Sequence, residues 1–300
     1  ADDGWQDDLR SFHRGRYHAR SADRARGSRA AAENGAAACR RAQQPVNIPS
    51  FHWWRTVFFL IPAIAVYTMV LGTLSIGSSL FERKGHVAHA CARMWSWLIL
   101  ATTGVAVRVQ GLEHLTRGTT YVFVSNHQSI YDIPVLFNAL PFQLRIIAKE
   151  SLGSFPFLGW HLRRTGHLLV DRRHPDRAGI LLRWRELLEQ GLSLIIFPEG
   201  SRSANGTVGR FKAGSFLLAI EAGLPVVPIS VVGTRFVMRK GRLMTCPGSA
   251  HLTVHHPVTT TDGTWQTSIK AARRLAIHVH DIIAGQVEAE ERAAGTWPLN

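Results

Sequence analysis

The sequence predicts an α/β fold: a layered, largely parallel or mixed β-sheet flanked by helices, with a membrane-associated helical segment before it. Two observations support this prediction. From Val105 onward, short apolar runs alternate with helix-like segments, which is the pattern of a layered α/β domain. Before that point, residues 56–80 carry no charged side chain, and this stretch is long enough to cross a bilayer or embed deeply in one.

The chain divides into three predicted regions. Residues 1–50 mix arginine, alanine and glycine with almost no apolar periodicity. They cannot bury enough surface to offset chain entropy, so we predict a disordered tail. Residues 51–104 are predicted to form a membrane-embedded helical segment, and residues 105–300 a folded α/β domain.

The membrane prediction rests on residues 56–80 and on what flanks them. Trp53, Trp54 and Arg55 precede this stretch and three charged residues, 82–84, follow it, as interfacial anchors would. Cationic residues on both sides leave the orientation open, and the length suits either a spanning or a re-entrant segment. The competing interpretation is a buried helix of a soluble protein. A second apolar stretch, residues 94–107, is too short to span; it is interfacial or leads into the sheet.

The domain at residues 105–300 alternates between strands and helices. Short runs rich in valine and isoleucine predict strands, and longer amphipathic runs, several ending at glycine, predict helices. The predicted strands are residues 105–109, 121–124, 144–148, 166–170, 192–197, 226–232 and, as a late edge strand, 252–255. The predicted helices are residues 133–140, 177–190, 213–222 and 269–288.

The composition suggests an anionic partner. The formal net charge is +14 at pH 7, which favours a lipid surface, a phosphorylated substrate or nucleic acid. The sequence contains no cysteine–histidine finger, aromatic single-strand platform or basic region joined to heptads, so we expect no nucleic acid partner. The apolar stretch makes a membrane surface the preferred interpretation.

A histidine and an aspartate follow the predicted strand at residues 121–124. His127 and Asp132 lie five residues apart through a turn, so the carboxylate can fold back onto the imidazole. An aspartate on one ring nitrogen fixes the tautomer and leaves the other nitrogen as a general base near neutral pH. A His-x4-Asp pair alone is weak evidence, because such pairs are more often structural.

A second polar segment follows the strand at residues 192–197. Gly200 permits close backbone approach, Ser201 can donate a hydrogen bond, and Arg202 can grip a phosphate with two parallel donors. Glu199 would repel a phosphate, so it either binds a substrate hydroxyl or holds Arg202. The competing interpretation is a turn with a surface ion pair.

Two more basic residues follow predicted strands. Lys149 comes after residues 144–148, and Arg172 comes shortly after residues 166–170. Cations that arrive at one edge of a sheet would form an anion pocket.

Taken together, these segments resemble the glycerophospholipid acyltransferase family, particularly bacterial 1-acyl-glycerol-3-phosphate acyltransferases. Ser201 stands where threonine is commoner in the family. The similarity extends from about residue 51 to residue 237. Four blocks carry it, in the family's order: residues 126–132, residues 148–172, residues 197–203 and residues 224–229.

The resemblance implies a glycerolipid acyltransferase fold and a role for each matching residue. His127 would deprotonate the acceptor hydroxyl, and Asp132 would orient His127. No metal or redox cofactor is implied. The residues implied to hold the acceptor's phosphate are Glu199, Gly200, Ser201, Arg202, Arg172 and Lys149.

The resemblance also implies the partners. The acceptor would be lysophosphatidic acid, converted to phosphatidic acid, and the co-substrate would be acyl-CoA or acyl-ACP (acyl carrier protein). The apolar N-terminal helices would anchor the acyltransferase domain among membrane lipids, on the cytoplasmic face of a bacterial inner membrane.

Other functions stay open on the sequence alone. The same chemistry could serve glycerol 3-phosphate or another lysolipid. A catalytically silent membrane lipid-binding protein is an alternative from another class, although it would have no chemical need for both His127 and Asp132. A metal-dependent phosphoesterase is not supported, since the sequence has no HExxH motif or clustered carboxylates.

Overall fold

A computed structural model describes residues 51–296, except 83–84, 172–176, 262–264 and 266. The predicted tail at residues 1–50 lies outside the described residues. The helices are α1 (Phe51–Ser78), α2 (His86–Thr103), α3 (Asp132–Ala139), α4 (Leu158–Arg164), α5 (Arg177–Glu189), α6 (Gly214–Glu221), α7 (Thr234–Val237) and α8 (Ile269–Ala293). The strands are β1 (Val105–Gln110), β2 (Val122–Ser125), β3 (Leu144–Lys149), β4 (Leu168–Val170), β5 (Ser193–Ile196), β6 (Val226–Val232) and β7 (Gly248–Val254).

The helix α1 is long and apolar enough to cross a membrane, and its most apolar window is only 11% buried. Phe58, Val70 and Leu74 are among its exposed side chains. The alternative of a buried helix in a soluble domain does not fit this exposure. The helix α2 packs against α1 and leads directly into β1. Of the two possibilities for the second apolar stretch, the structure therefore agrees with the one in which it leads into the sheet.

The sheet is mixed and has the strand order β1-β7-β6-β2-β5-β3-β4. The five strands from β6 to β4 are parallel to one another, whereas β7 is antiparallel to β6 and parallel to β1. The α/β fold with a largely parallel or mixed sheet is therefore confirmed.

One strand prediction was wrong in its position. The strand predicted at residues 252–255 begins earlier, at Gly248, and lies inside the sheet rather than at its edge. It pairs with β6 on one side and with β1 on the other, over all six residues from Val105 to Gln110. Because this pairing joins strands that are far apart in the sequence, the local pattern could not reveal it.

Side chains on the two faces of the sheet form two apolar clusters. Along β2, Phe123 points into one cluster, whereas Val122 and Val124 point into the other, because successive side chains of a strand alternate in direction. The first cluster includes residues of α2, α3 and α4, and the second includes residues of α5, α6 and α8. The β2 backbone is thus held from both faces, which fixes the point at which the strand ends.

The carboxyl ends of β2, β5 and β6 lie side by side. These strands are parallel neighbours, with β2 in the middle, so the segments that follow them meet at one edge of the sheet. In open α/β sheets, this edge is the usual place for a functional site.

Candidate active site

His127 and Asp132 form a hydrogen-bonded pair just beyond the end of β2. The distance from His127 Nδ1 to Asp132 Oδ2 is 2.7 Å. The histidine side chain is 14% exposed and the aspartate is fully buried. Because a carboxylate only accepts hydrogen bonds, Nδ1 is the donor in this bond and Nε2 is left for another partner. The turn thus brings the two side chains together as the sequence predicts, and their roles as general base and orienting carboxylate stay predictions.

Asp132 is held by several other donors. The backbone N–H groups of Gln128 and Ser129 donate to its Oδ2, at 2.8 and 2.9 Å, and the Thr234 hydroxyl donates to its Oδ1. Asp132 is also the first residue of α3, where the helix dipole favours a negative charge. These three donors, together with His127, hold the buried carboxylate in one orientation.

The histidine itself is fixed by its neighbours. The amide of Asn126 makes two hydrogen bonds of 2.8 Å with the backbone of Val231 in β6, one to the carbonyl and one from the N–H. The His127 ring stacks on Phe197, with ring centroids 4.2 Å apart. Together these contacts set the direction in which the imidazole points.

Glu199 joins the two predicted segments. Its Oε1 accepts from the backbone N–H of His127 at 2.7 Å, and its Oε2 accepts from the backbone N–H of Gly209 at 3.0 Å. A Cβ at position 209 would lie 2.9 Å from Glu199 Oε2, which explains the glycine there. Burial raises the pKa of the Glu199 carboxyl, and the two amide hydrogen bonds oppose that shift. This geometry favours an organising role, and direct contact of Glu199 with a phosphate stays a prediction.

The turn that contains Gly200 lies at the end of β5. Gly200 has φ of +73°, a left-handed conformation that favours glycine, and its N–H donates to the Phe197 carbonyl at 3.0 Å. Ser201 is exposed and Arg202 is partly exposed, so both can meet a substrate from solvent. Glu199 makes no ion pair with Arg202 within the described residues, so its predicted role of holding Arg202 is not what the structure favours.

Among the other predicted cations, Lys149 is exposed at the end of β3, on the far side of β5 from His127. Arg172 lies outside the described residues. The structure adds two lysines to this edge. Lys212 lies close to the glycine turn, since its Nζ would be 2.8 Å from a Cβ at Gly200. Lys240 Nζ donates to the Arg202 carbonyl at 2.7 Å.

Sequence reasoning missed the two lysines and Thr234 as parts of this site. Lys212 belongs to a Gly-Arg-Phe-Lys run whose position between two blocks was a usable signal. Thr234 is the second residue after β6, as His127 is the second residue after β2, so the position after a strand was a usable signal here too. Lys240 lies in a loop with no pattern that indicates this placement.

An apolar cavity of about 160 Å³ lies beside the His127–Asp132 turn. Ile130 and Ile133, from the turn and from α3, form part of its wall. The other walls come from α1, α2 and α4 and from residues of β3 and the loops around it. The His127–Asp132 pair, the turn that carries Gly200, Ser201 and Arg202 (the cationic turn) and an apolar cavity therefore meet at one end of the sheet.

No cluster of three or more histidine, cysteine, aspartate or glutamate side chains suited to a metal ion occurs within the described part of the chain.

Comparison with known proteins gives a consistent result. An acyltransferase family model matches residues 106–232. A chloroplastic 1-acyl-sn-glycerol-3-phosphate acyltransferase of Arabidopsis thaliana is 32% identical over 213 residues, which are 68% of this chain and 59% of that protein. The 1-acyl-sn-glycerol-3-phosphate acyltransferase of Pseudomonas aeruginosa is 32% identical over 182 residues, 59% of this chain and 70% of that protein.

Among solved structures, the 1-acyl-sn-glycerophosphate acyltransferase PlsC of Thermotoga maritima is similar, with a TM-score of 0.63 and 27% identity. The similarity covers 82% of this chain and all of that one. The chain spans between about half and three fifths of the length of the matching Arabidopsis, Brassica and Chlamydomonas proteins. On these similarities, the chain belongs to the acyltransferase family that includes the 1-acyl-sn-glycerol-3-phosphate acyltransferases.

Proposed function

We propose that the protein transfers a fatty acyl group from acyl-CoA or acyl-ACP to the free hydroxyl of 1-acyl-sn-glycerol 3-phosphate, making phosphatidic acid. The observation that carries this proposal is the His127–Asp132 pair, in which a fully buried carboxylate lies 2.7 Å from the imidazole. The names of the Pseudomonas and Thermotoga relatives support the choice of acceptor.

In the proposed step, His127 Nε2 removes the proton from the acceptor hydroxyl as its oxygen attacks the thioester carbonyl. The carbon–sulfur bond then breaks, the new ester forms, and the leaving thiol takes its proton from the His127 imidazolium. Asp132 keeps Nδ1 protonated throughout and stabilises the imidazolium between the two transfers. No serine or cysteine nucleophile is needed.

The cationic turn would hold the phosphate of the acceptor. We assign this role to Gly200, Ser201 and Arg202, with Lys212 beside them. Fixing the phosphate turns a bimolecular attack into an oriented one. The predicted phosphate residues Lys149, Arg172 and Glu199 stay part of the proposal, with Glu199 acting through the backbone of His127 and Gly209.

The cavity and the apolar helix would serve the lipid part of the reaction. The cavity of about 160 Å³ is lined by Ile130 and Ile133, on either side of Asp132, so it can take part of an acyl chain near the base. The exposed apolar face of α1 would keep the domain at residues 105–300 on the membrane, with residues 51–104 embedded in it. We place the domain on the cytoplasmic face of a bacterial inner membrane, where acyl donors are available. No metal or redox cofactor takes part.

The test is thiol release from an acyl-CoA by membrane-reconstituted protein, with and without 1-acyl-sn-glycerol 3-phosphate. We expect release to depend on the acceptor and to fall by about 10²–10⁴-fold or more in His127→Ala, because general-base catalysis contributes that much. The His127 side chain is partly exposed, so the variant should keep its melting temperature.

Other outcomes would redirect the proposal. Release with glycerol 3-phosphate or another lysolipid, but not with this acceptor, would change the acceptor and keep the chemistry. Release from acyl-ACP alone would settle the donor. No release from any donor, by protein that still binds lysolipid vesicles, would favour the silent lipid-binding protein.

A further inference from the structure

A fully buried carboxylate on the C-terminal helix lies behind the active-site turn. Glu291, in the last turn of α8, has no exposed surface. Its Oε1 accepts from Gln128 Nε2 at 3.1 Å, and its Oε2 accepts from an Arg235 guanidinium nitrogen at 2.9 Å. Gln128 directly follows His127 and is itself buried. A residue remote in sequence is therefore in contact with the His-x4-Asp turn.

Both partners of Glu291 also hold the loop that follows the cationic turn. Gln128 Nε2 donates to the Gly206 carbonyl at 3.1 Å, and Arg235 donates to the Asn205 carbonyl. The φ of Gly206 is +96°, and a Cβ there would collide with the Arg235 guanidinium. The glycine thus permits the close approach of the arginine to this loop.

The same loop contacts the histidine backbone. The N–H of Ser203, directly after Arg202, donates to the His127 carbonyl at 2.7 Å. Glu291 is therefore connected to the loop at residues 203–206 by hydrogen bonds through Gln128 and through Arg235. This loop directly follows Arg202 in the chain.

A charge buried at this depth is costly unless it is paired and hydrogen-bonded. Within the described part of the chain, Glu291 meets that condition only through the guanidinium of Arg235 and the amide of Gln128. Because a carboxylate accepts and never donates, it also fixes the orientation of the Gln128 amide, with the NH2 group toward Glu291 and Gly206. Neither Arg235 nor Glu291 lies within residues 106–232, which the family model matches.

We propose that Glu291 is a positioning residue of the active site, which holds the loop at residues 203–206 and, through it, the acceptor-binding turn. The expected change in the acceptor KM rests on the proposed function, whereas the expected loosening of residues 203–206 does not. Glu291 touches neither substrate nor reacting atoms, so it acts only through Gln128 and Arg235.

The test compares Glu291→Gln with Glu290→Gln. The control removes the neighbouring carboxylate, which bonds Gln286 and Thr253 on a different side of α8. We expect Glu291→Gln to raise the KM for 1-acyl-sn-glycerol 3-phosphate about tenfold, since small misplacements of a binding group have effects of this order or larger. The KM for the acyl donor should stay unchanged, and the control should match the wild type in both constants.

Amide hydrogen exchange supplies a readout that does not depend on activity. In Glu291→Gln, exchange at residues 203–206 should become faster than in the wild type and in the control. If the wild type proves inactive with every acceptor, the proposed function fails, and exchange alone decides the inference about Glu291.

Three results would overturn the inference. The first is unchanged exchange in the loop. The second is an unchanged acceptor KM in an active variant. The third is a lower rate per mole of protein with both KM values unchanged, which indicates only a loss of folded enzyme. If Glu291→Gln does not fold, Gln128→Met removes the amide and keeps the Glu291–Arg235 pair; the same measurements then decide.

Discussion

Two regions of the molecule use histidine and arginine in opposite ways. At the sheet edge, His127 has a carboxylate partner and Arg202 is partly exposed. In the cluster formed by Arg145, His161 and His167, Arg145 and His167 are buried and His161 is partly buried. His161 Nδ1 lies 2.7 Å from the Ser75 hydroxyl of α1, and His167 is hydrogen-bonded to the backbone of β3. None of these three has an ion-pair partner among the carboxylates of the described residues.

The buried cluster suppresses charge. Burial, and to a lesser extent Arg145, lowers the pKa of His161 from 6.5 to about 4. The same causes hold the pKa of His167 well below its ordinary value, and its Nδ1 accepts from the Ile146 N–H at 3.1 Å. Burial also lowers the pKa of Arg145 to about 10. These histidines are neutral packing groups, whereas His127 has a buried carboxylate partner at 2.7 Å. The side chain alone does not make a base.

The largest test of this comparison is to remove the carboxylate from the sheet edge. Asp132→Asn should lower the rate of acyl transfer by about 10²–10⁴-fold, because an amide neither stabilises the imidazolium nor matches the donors around it. Rates are measured by thiol release. The matched control is Asp281→Asn, which changes a surface His280–Asp281 pair with a distance of 3.1 Å. Equal activity in Asp132→Asn and the wild type would remove Asp132 from the mechanism.

A smaller effect is expected at the arginine of the same edge. Arg202→Ala should raise the acceptor KM by about 10–100-fold, the loss expected for charge-assisted hydrogen bonds to a phosphate. The donor KM should not change. Arg183→Ala serves as the control, because that side chain is exposed on α5. An unchanged acceptor KM in Arg202→Ala would show that the phosphate binds elsewhere.

The smallest effect concerns His161, and it appears as pH dependence of stability. The pKa of His161 is about 4 in the folded chain and 6.5 ordinarily. Between pH 6.5 and pH 4, its imidazole therefore binds a proton in the unfolded chain but not in the folded chain. The contribution of His161 to the free energy of unfolding is therefore complete above pH 6.5 and is lost as the pH falls toward 4. Between about pH 7.5 and about pH 5 the loss reaches up to about 2 kcal/mol.

Urea unfolding of His161→Gln at the two pH values checks this expectation. The variant cannot titrate at this position, so its stability should fall less on acidification than that of the wild type. His278→Gln, on the exposed surface of α8, should behave like the wild type. An acid response of His161→Gln as steep as that of the wild type would mean that His161 is not held neutral. Acyl transfer by the variant should remain measurable, in contrast to Asp132→Asn.

Much of the fold, and the contact between His127 and Asp132, could be predicted from local sequence. Valine-rich runs and helical periodicity locate the strands and the long helices, and His127 and Asp132 are close in sequence. The order of the strands could not be predicted in this way, because β1 pairs with β7 across more than a hundred residues. The helix α4 was not predicted, since Leu158–Arg164 is short and includes Gly159.

The organising role of Glu199 could not be predicted for a different reason. Its partners are backbone N–H groups of His127 and Gly209, which every residue but proline offers, so no side-chain pattern reveals them. The contact of Glu291 with Gln128 could not be predicted either, because it depends on the position of α8 against the sheet edge and joins residues far apart in the sequence.

Two sets of hydrogen bonds at the site share a property that bears on evolution and engineering. Asn126 bonds to Val231, and Glu199 bonds to His127 and Gly209. Each joins one specific side chain to main-chain groups. The anchoring residues Asn126 and Glu199 must therefore stay constant, while the fully buried side chain at position 231 can change to another apolar residue of similar volume without breaking the link. A library that keeps these two residues and varies Val231 among apolar residues of similar volume would leave these main-chain links in place.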